Sequence, residues 1–211
     1  MRYEDLRCYV RVHSHFLYDN RNFIGARSAC FKCGPCRPKW MKMVDNLYSG
    51  NLQDTNNHNK LIHYCLHQPD KLDRIARYLH LRLSRNITIS VKAIDKLIQV
   101  CHGHRLVLAF SFLKMIQLLL ETNRIDLQIM ASKSFVEFSK IDDDAPNYHK
   151  ECNEILDHFA SMVAFTFYLL CYRVRMAGIH GIQGVVRKMV SDQLLLEVHE
   201  SNMDKIIPPL L

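Results

Sequence analysis

Glycine and proline are scarce in this chain, at seven and six of 211 residues. A strand-rich protein of this length needs more turn residues than that, so the shortage predicts helices joined by short turns. Long apolar runs are missing too. The most apolar window, residues 162–172, is eleven residues long, where a membrane-spanning helix needs about 20; it predicts a buried core helix. No continuous apolar segment precedes a small-residue cleavage site near the N-terminus, which argues against a secretory signal and for a reduced, cytosolic setting. There is no phosphate-cradling glycine loop, and no nucleophile with a base at a recognisable spacing. Nothing argues for an enzyme, and no catalytic residue, metal site or cofactor is assigned.

What is present is apolar residue at 48% with 23% charged, the composition of a globular domain long enough to bury a core. The net charge is +7 and is concentrated at one end. The first 42 residues hold nine Lys and Arg against Glu4, Asp5 and Asp19. A basic end on a near-neutral body predicts an anionic partner for that end, membrane or nucleic acid, against the plain alternative of a solvated tail.

The apolar spacing predicts a helix from about 38 to 48 with Trp40, Met43, Val44 and Leu47 on one face. A polar linker to Asn59 follows, then a short helix over 60–66 and a longer one from Asp70, the latter with Leu72, Ile75, Ala76, Leu79 and Leu83 in helical register. Further helices are expected over 91–100, 106–121, 125–139, 151–159, 162–172 and 174–190, with a last one ending before Pro208-Pro209. Arg124-Ile125 and Arg173-Val174 each open a helix in which small and then large apolar positions follow, at a separation near fifty residues. That is a loose helix-pair signature. The expected fold is all-α, an armadillo/HEAT-like helical-repeat solenoid, with a compact bundle as the alternative.

Of eight cysteines, Cys65, Cys101, Cys152 and Cys171 stand singly in apolar helical patterns, as small buried hydrophobes do. Cys30, Cys33 and Cys36 are different: they crowd into a run that continues Arg37-Pro38-Lys39-Trp40-Met41-Lys42. Cys33-Gly34-Pro35-Cys36 spells a redox tetrapeptide, but no strand pattern precedes it to place the first thiolate at a helix start. Zinc would fit the spacing of three ligands with Cys8, His13 or His15 as a fourth, yet the clean second half of a zinc signature is missing. Reversible S-acylation needs no fixed spacing and uses neighbouring basic residues. It fits best, with Arg37, Lys39 and Lys42 as acidic-lipid contacts and Trp40 at the headgroup level. The twelve histidines show no ligand-like pairing and are read as structural. The acidic run Asp142-Asp143-Asp144 before Pro146 is read as a solvated helix entry.

Several phrases together resemble a known family. They are the cysteine run ending in Met43-Val44-Asp45-Asn46; Pro69-Asp70-Lys71-Leu72-Asp73-Arg74-Ile75 with Tyr78-Leu79 and Arg82-Leu83-Ser84-Arg85; and Ser134-Phe135-Val136 before Asp144-Ala145-Pro146-Asn147-Tyr148-His149. The last are Ala177-Gly178-Ile179-His180-Gly181-Ile182-Gln183-Gly184-Val185-Val186-Arg187-Lys188 and Met203-Asp204-Lys205-Ile206-Ile207-Pro208. Over about residues 30–211 they resemble the Rolling blackout-type plasma-membrane scaffolds, the membrane anchors of type III phosphatidylinositol 4-kinase alpha. The resemblance implies a non-catalytic armadillo/HEAT-like rod at the cytosolic face of the plasma membrane, with a cytosolic pool. It implies palmitoylation carried over to Cys30, Cys33 and Cys36, and anionic lipid at Arg37, Lys39 and Lys42. It also implies recruitment of the kinase complex through a tetratricopeptide-type adaptor, contacts attributed largely to the C-terminal part of longer family members. The expected organisation is a basic leader (1–29), a Cys-rich anchoring segment with the first helix (30–48), and helical repeats (57–211). The competing readings are a soluble HEAT-type adaptor and a zinc-stapled basic nucleic-acid-binding module; no nucleic acid is expected on the favoured one.

Overall fold

The computed structural model describes residues 37–49, 55–122, 124–141, 149–164 and 171–190, together with positions 203, 204 and 207. Among the described residues every regular element is helical, in the order α1 (Lys39–Leu47), α2 (Thr55–His67), α3 (Leu72–Leu81), α4 (Ile87–Val100), α5 (Arg105–Leu120), α6 (Ile125–Ser139), α7 (His149–Ala164) and α8 (Cys171–Val190). Single 3-10 turns at Pro69–Lys71 and His102–His104 lead into α3 and α5. The chain divides into two compact units, Met1–Ser111 and Phe112–Leu211, with the division inside α5.

In the first unit α1 packs on α2 and α3, and both of those pack on α4. The apolar register explains the arrangement. Leu72, Ile75, Ala76, Leu79 and Leu83 recur at three- and four-residue intervals and are all fully buried. Pro69 opens the turn before α3, where its missing N–H costs nothing. α4 starts four residues before the apolar pattern suggests, because Asn86 caps it: its side-chain oxygen accepts from the Ile89 N–H at 3.2 Å. α2 likewise begins at Thr55 rather than at 60, drawing the Asn-rich run into a helix whose buried face carries only Leu61 and Cys65. Polar residues on an exposed helical face need only that apolar seam to dock.

The second unit has a denser interior. Phe112, Phe135, Phe138 and Phe159 form a run of tilted ring contacts, with centroids 5.0 Å apart for Phe112–Phe138, 6.2 Å for Phe135–Phe138 and 5.4 Å for Phe135–Phe159. α8 packs on both α6 and α7, and its glycines set how closely. A Cβ at Gly178 would sit 2.9 Å from the Phe159 carbonyl oxygen, and one at Gly181 would sit 2.4 Å from the Phe159 ring. Both are contacts a side chain cannot make. The Gly178-x-x-Gly181-x-x-Gly184 spacing is therefore a groove cut into α8 for its neighbours. The Ser132 hydroxyl donates to the Ala177 carbonyl across the same seam at 2.5 Å. At the end of α8 the buried Lys188 ammonium donates to the Ile141 carbonyl at 2.5 Å and lies 4.7 Å from the centre of the Phe138 ring.

Cys65, Cys101 and Cys152 are buried thiols outside any disulfide, as their apolar settings predict. Burial pushes the Cys65 thiol up to about 12, with a smaller contribution from Cys101. The expected leader (1–29), the acidic run 142–144, residues 165–170 and the expected last helix lie wholly or largely outside the described residues.

Candidate membrane-facing edge

The described chain begins at Arg37, directly after the cysteine run; Cys30, Cys33 and Cys36 themselves lie outside the described residues. Pro38 occupies the N-cap of α1 without a side-chain capping bond, and the Met41 and Lys42 N–H groups donate to its carbonyl. α1 then turns Trp40, Met41, Val44 and Leu47 inward. Lys39 and Lys42 are exposed on the other side.

Trp40 does not stand at a surface. It is 9% exposed and meets the Tyr78 ring edge-on, with centroids 5.6 Å apart and planes at 86°. Its i, i+4, i+7 register with Val44 and Leu47 places it in the core seam, so the expected headgroup position is corrected to a packing one. Arg37 is also committed elsewhere. Its guanidinium pairs with Asp45 at 2.6 Å and donates to the Tyr78 hydroxyl at 3.0 Å. Arg82 approaches the same carboxylate at 3.0 Å and donates to the same hydroxyl at 2.5 Å. The Tyr78 hydroxyl in turn donates to Asp45 Oδ1 at 3.0 Å. One carboxylate thus holds two guanidiniums and a phenol, half-buried between α1 and α3. Burial raises the Tyr78 hydroxyl above the usual tyrosine range, with Arg82 opposing and Asp45 reinforcing the shift. For Arg82 burial acts downward, but Tyr78 and Asp45 outweigh it and hold its guanidinium above the ordinary value. Beside this cluster the Tyr48 hydroxyl shares a 2.7 Å hydrogen bond with Ser90 and is pushed by burial to about 12. The Val44-Asp45-Asn46 and Tyr78…Arg82 phrases, far apart in sequence, are two halves of one network.

A groove of about 560 Å³ runs between α1 and α2. Lys39 and Met43 form one wall; Asn56, Asn59, Lys60, His63, Tyr64 and His67 form the other, and Gln68 closes one end. The Lys39 ammonium lies 5.9 Å from the centre of the Tyr64 ring. His63 and His67 stack with centroids 4.2 Å apart. No carboxylate is among the described residues lining the groove. Sequence reasoning passed over Lys60, His63 and His67; their i, i+3, i+7 spacing on one helix was the available signal. Among the described residues no three of His, Cys, Asp and Glu come together as a metal site, and no helix is long and apolar enough to cross a membrane.

The fold and this edge define a helical-repeat protein of the armadillo type. The model of the EFR3 armadillo repeat matches residues 58–211. The chain is 39% identical over 196 residues to the fruit-fly (Drosophila melanogaster) EFR3 homolog cmp44E, 38% identical over 197 residues to human (Homo sapiens) EFR3 homolog B, and 36% identical over 197 residues to human EFR3 homolog A. Each alignment covers 86% of this chain and 24% of the relative. The chain belongs to the EFR3 family, the Rolling blackout-type family its motifs resemble. It spans about a quarter of the length of these curated relatives. No solved structure matches it.

Proposed function

We propose that the chain is a non-catalytic, peripheral scaffold element at the cytosolic face of the plasma membrane, held there by S-acylation of Cys30, Cys33 and Cys36. The observation that carries this reading is the junction itself: three cysteines run straight into a helix whose outward face presents Lys39 and Lys42. A single acyl chain anchors only marginally, and a second signal such as a basic patch makes the attachment stable. Each exposed cation near an anionic leaflet contributes about 1 kcal/mol. Arg37, paired with Asp45 on α1 and bonded to Tyr78 on α3, contributes less to that attraction than Lys39 and Lys42. By the family resemblance, the anchored repeat supports phosphoinositide synthesis by holding a type III phosphatidylinositol 4-kinase alpha complex at the membrane through a tetratricopeptide-type adaptor.

Membrane fractionation of the chain against a Cys30→Ser/Cys33→Ser/Cys36→Ser variant, with and without hydroxylamine, tests the anchor. Wild type should sediment with membranes and be released by thioester cleavage, and the variant should be soluble. A wild type that is soluble, or that remains bound after hydroxylamine, refutes acylation as the anchor.

A further inference from the structure

The seam between α6 and α8 carries a second groove, of about 530 Å³. The hydrogen bonds that cross the seam advance together, from Ser132 to Ala177, Arg187 to Ser139 and Lys188 to Ile141, so the two helices run parallel. α6 lines the groove with Ile129, Ser132, Lys133, Val136 and Glu137. α8 lines it with Arg173, Met176, Ala177 and His180. Both sets recur at three- and four-residue intervals, so each is one continuous helical face. The floor is fixed: Ser132 and Ala177 are buried, and the hydroxyl of the first donates to the carbonyl of the second. Half-buried Ile129, Val136 and Met176 leave apolar surface above it. Tyr172 stands in the same lining and is 71% exposed. The charge is one-sided. Glu137, the carboxylate of the described lining, is paired with Lys140 at 2.6 Å. Lys133 and Arg173 are both exposed, and among the described residues neither has a carboxylate partner.

We propose that the α6–α8 groove docks an acidic, amphipathic peptide segment of a protein partner. Its apolar side chains lie along Ile129, Val136 and Met176, and its carboxylates face Lys133 and Arg173. Charge complementarity selects this occupant: a phosphate backbone gains nothing from the apolar strip, and a purely apolar segment leaves both cations unanswered. A segment carrying both kinds of side chain satisfies floor and rim together, as an apolar centre with a polar border does in protein interfaces. Tyr, Arg and Met are also the side chains enriched where such interfaces hold most of their energy. The site lies in the second unit and stands whether or not the chain is acylated.

The test uses the full, unacylated chain and a phage-displayed library of random dodecapeptides. Selected peptides should combine Asp or Glu with Leu, Met or aromatic residues, and a synthetic peptide of the enriched sequence should bind saturably by fluorescence anisotropy. Lys133→Glu/Arg173→Glu should weaken that peptide about tenfold. Lys60→Glu/Lys92→Glu, on α2 and α4, changes the net charge by the same amount and should leave the affinity within about twofold. Met176→Asp should cost about tenfold. Tyr172→Ala, which removes a side chain too exposed to support the fold, should cost about fivefold. Helical circular dichroism should be unchanged in each. Enrichment of basic peptides or of none overturns the proposal, as does an affinity that falls equally in the two charge-reversed pairs. Concentration-dependent self-association abolished by Met176→Asp would give the groove to a second copy of the chain, and anionic-vesicle binding abolished by Lys133→Glu/Arg173→Glu, with no peptide selected, would give it to the membrane; either result overturns the peptide assignment.

Discussion

The two units of this chain are built from the same element and held together by different chemistry. In the first, α1 is joined to α3 by polar groups: Asp45 between Arg37 and Arg82, with the Tyr78 hydroxyl bonded to all three. In the second, α6, α7 and α8 meet through aromatic rings and glycines, with Phe159 filling the space that Gly178 and Gly181 leave open. A half-buried ionic network contributes modestly to stability but fixes direction, because a guanidinium fork accepts few geometries. Close apolar packing contributes more and directs less. The polar network fixes the direction in which α1 meets α3, and the close packing of the second unit holds that unit together.

The contrast breaks most readily at the aromatic run. Phe135→Ala removes a fully buried ring between Phe138 and Phe159 and should cost about 4 kcal/mol, read by denaturant unfolding and by amide exchange in α6–α8. A loss below about 1 kcal/mol would mean that the rings are not the main support of this unit. Gly181→Ala should come next. The added methyl meets the Phe159 ring, which is itself buried, so overpacking of about 1–3 kcal/mol outweighs the gain of about 1 kcal/mol in helix propensity. A Gly181→Ala/Phe159→Leu pair should recover part of the loss, and a fully additive pair would show that the methyl acts elsewhere.

The polar network should respond more weakly and with a different signature. Asp45→Asn leaves two guanidiniums facing each other without their shared anion and should cost about 2 kcal/mol, lessened by salt. Double-mutant cycles should couple Asp45 to both Arg37 and Arg82; coupling to neither would reduce the network to a surface contact. A further effect is alkaline. Tyr48 is raised from 10.0 to about 12 and Cys65 from 9.0 to about 12, both chiefly by burial. Folded pKa values above the unfolded ones mean that the unfolded chain releases protons first. Stability is therefore intact below pH 9 and falls as pH rises from 9 towards 12. Tyr48→Phe should flatten the upper part of that decline, from pH 10 upward; an unchanged slope would show that Tyr48 does not contribute to it.

Much of this was legible in the sequence, and what was hidden has a physical reason. Ile125–Ser139 is helical over the span its periodicity marks, and the five apolar positions of the α3 segment are all buried, joined by His80. Local pattern suffices where burial follows one helical face. Trp40 shared a face with Val44 and Leu47, and that register outweighed the chemical suggestion of an interfacial tryptophan. Arg37 looked like a free cation because its partners lie eight and more than forty residues away, beyond any local window. The Gly178, Gly181 and Gly184 phrase was visible as a motif, but the close approach that demands it belongs to Phe159 and Phe135 on other helices. The α1–α2 groove was missed because its lining is shared between two helices and neither share is distinctive alone.

Hydrogen exchange of the full chain, free and on anionic vesicles, tests the division of roles most directly. Protection gained over residues 39–68, with 125–139 and 171–190 unchanged, is the predicted result. Protection gained in α6 or α8, or spread evenly along the chain, would contradict the assignment of the first unit's edge to the membrane.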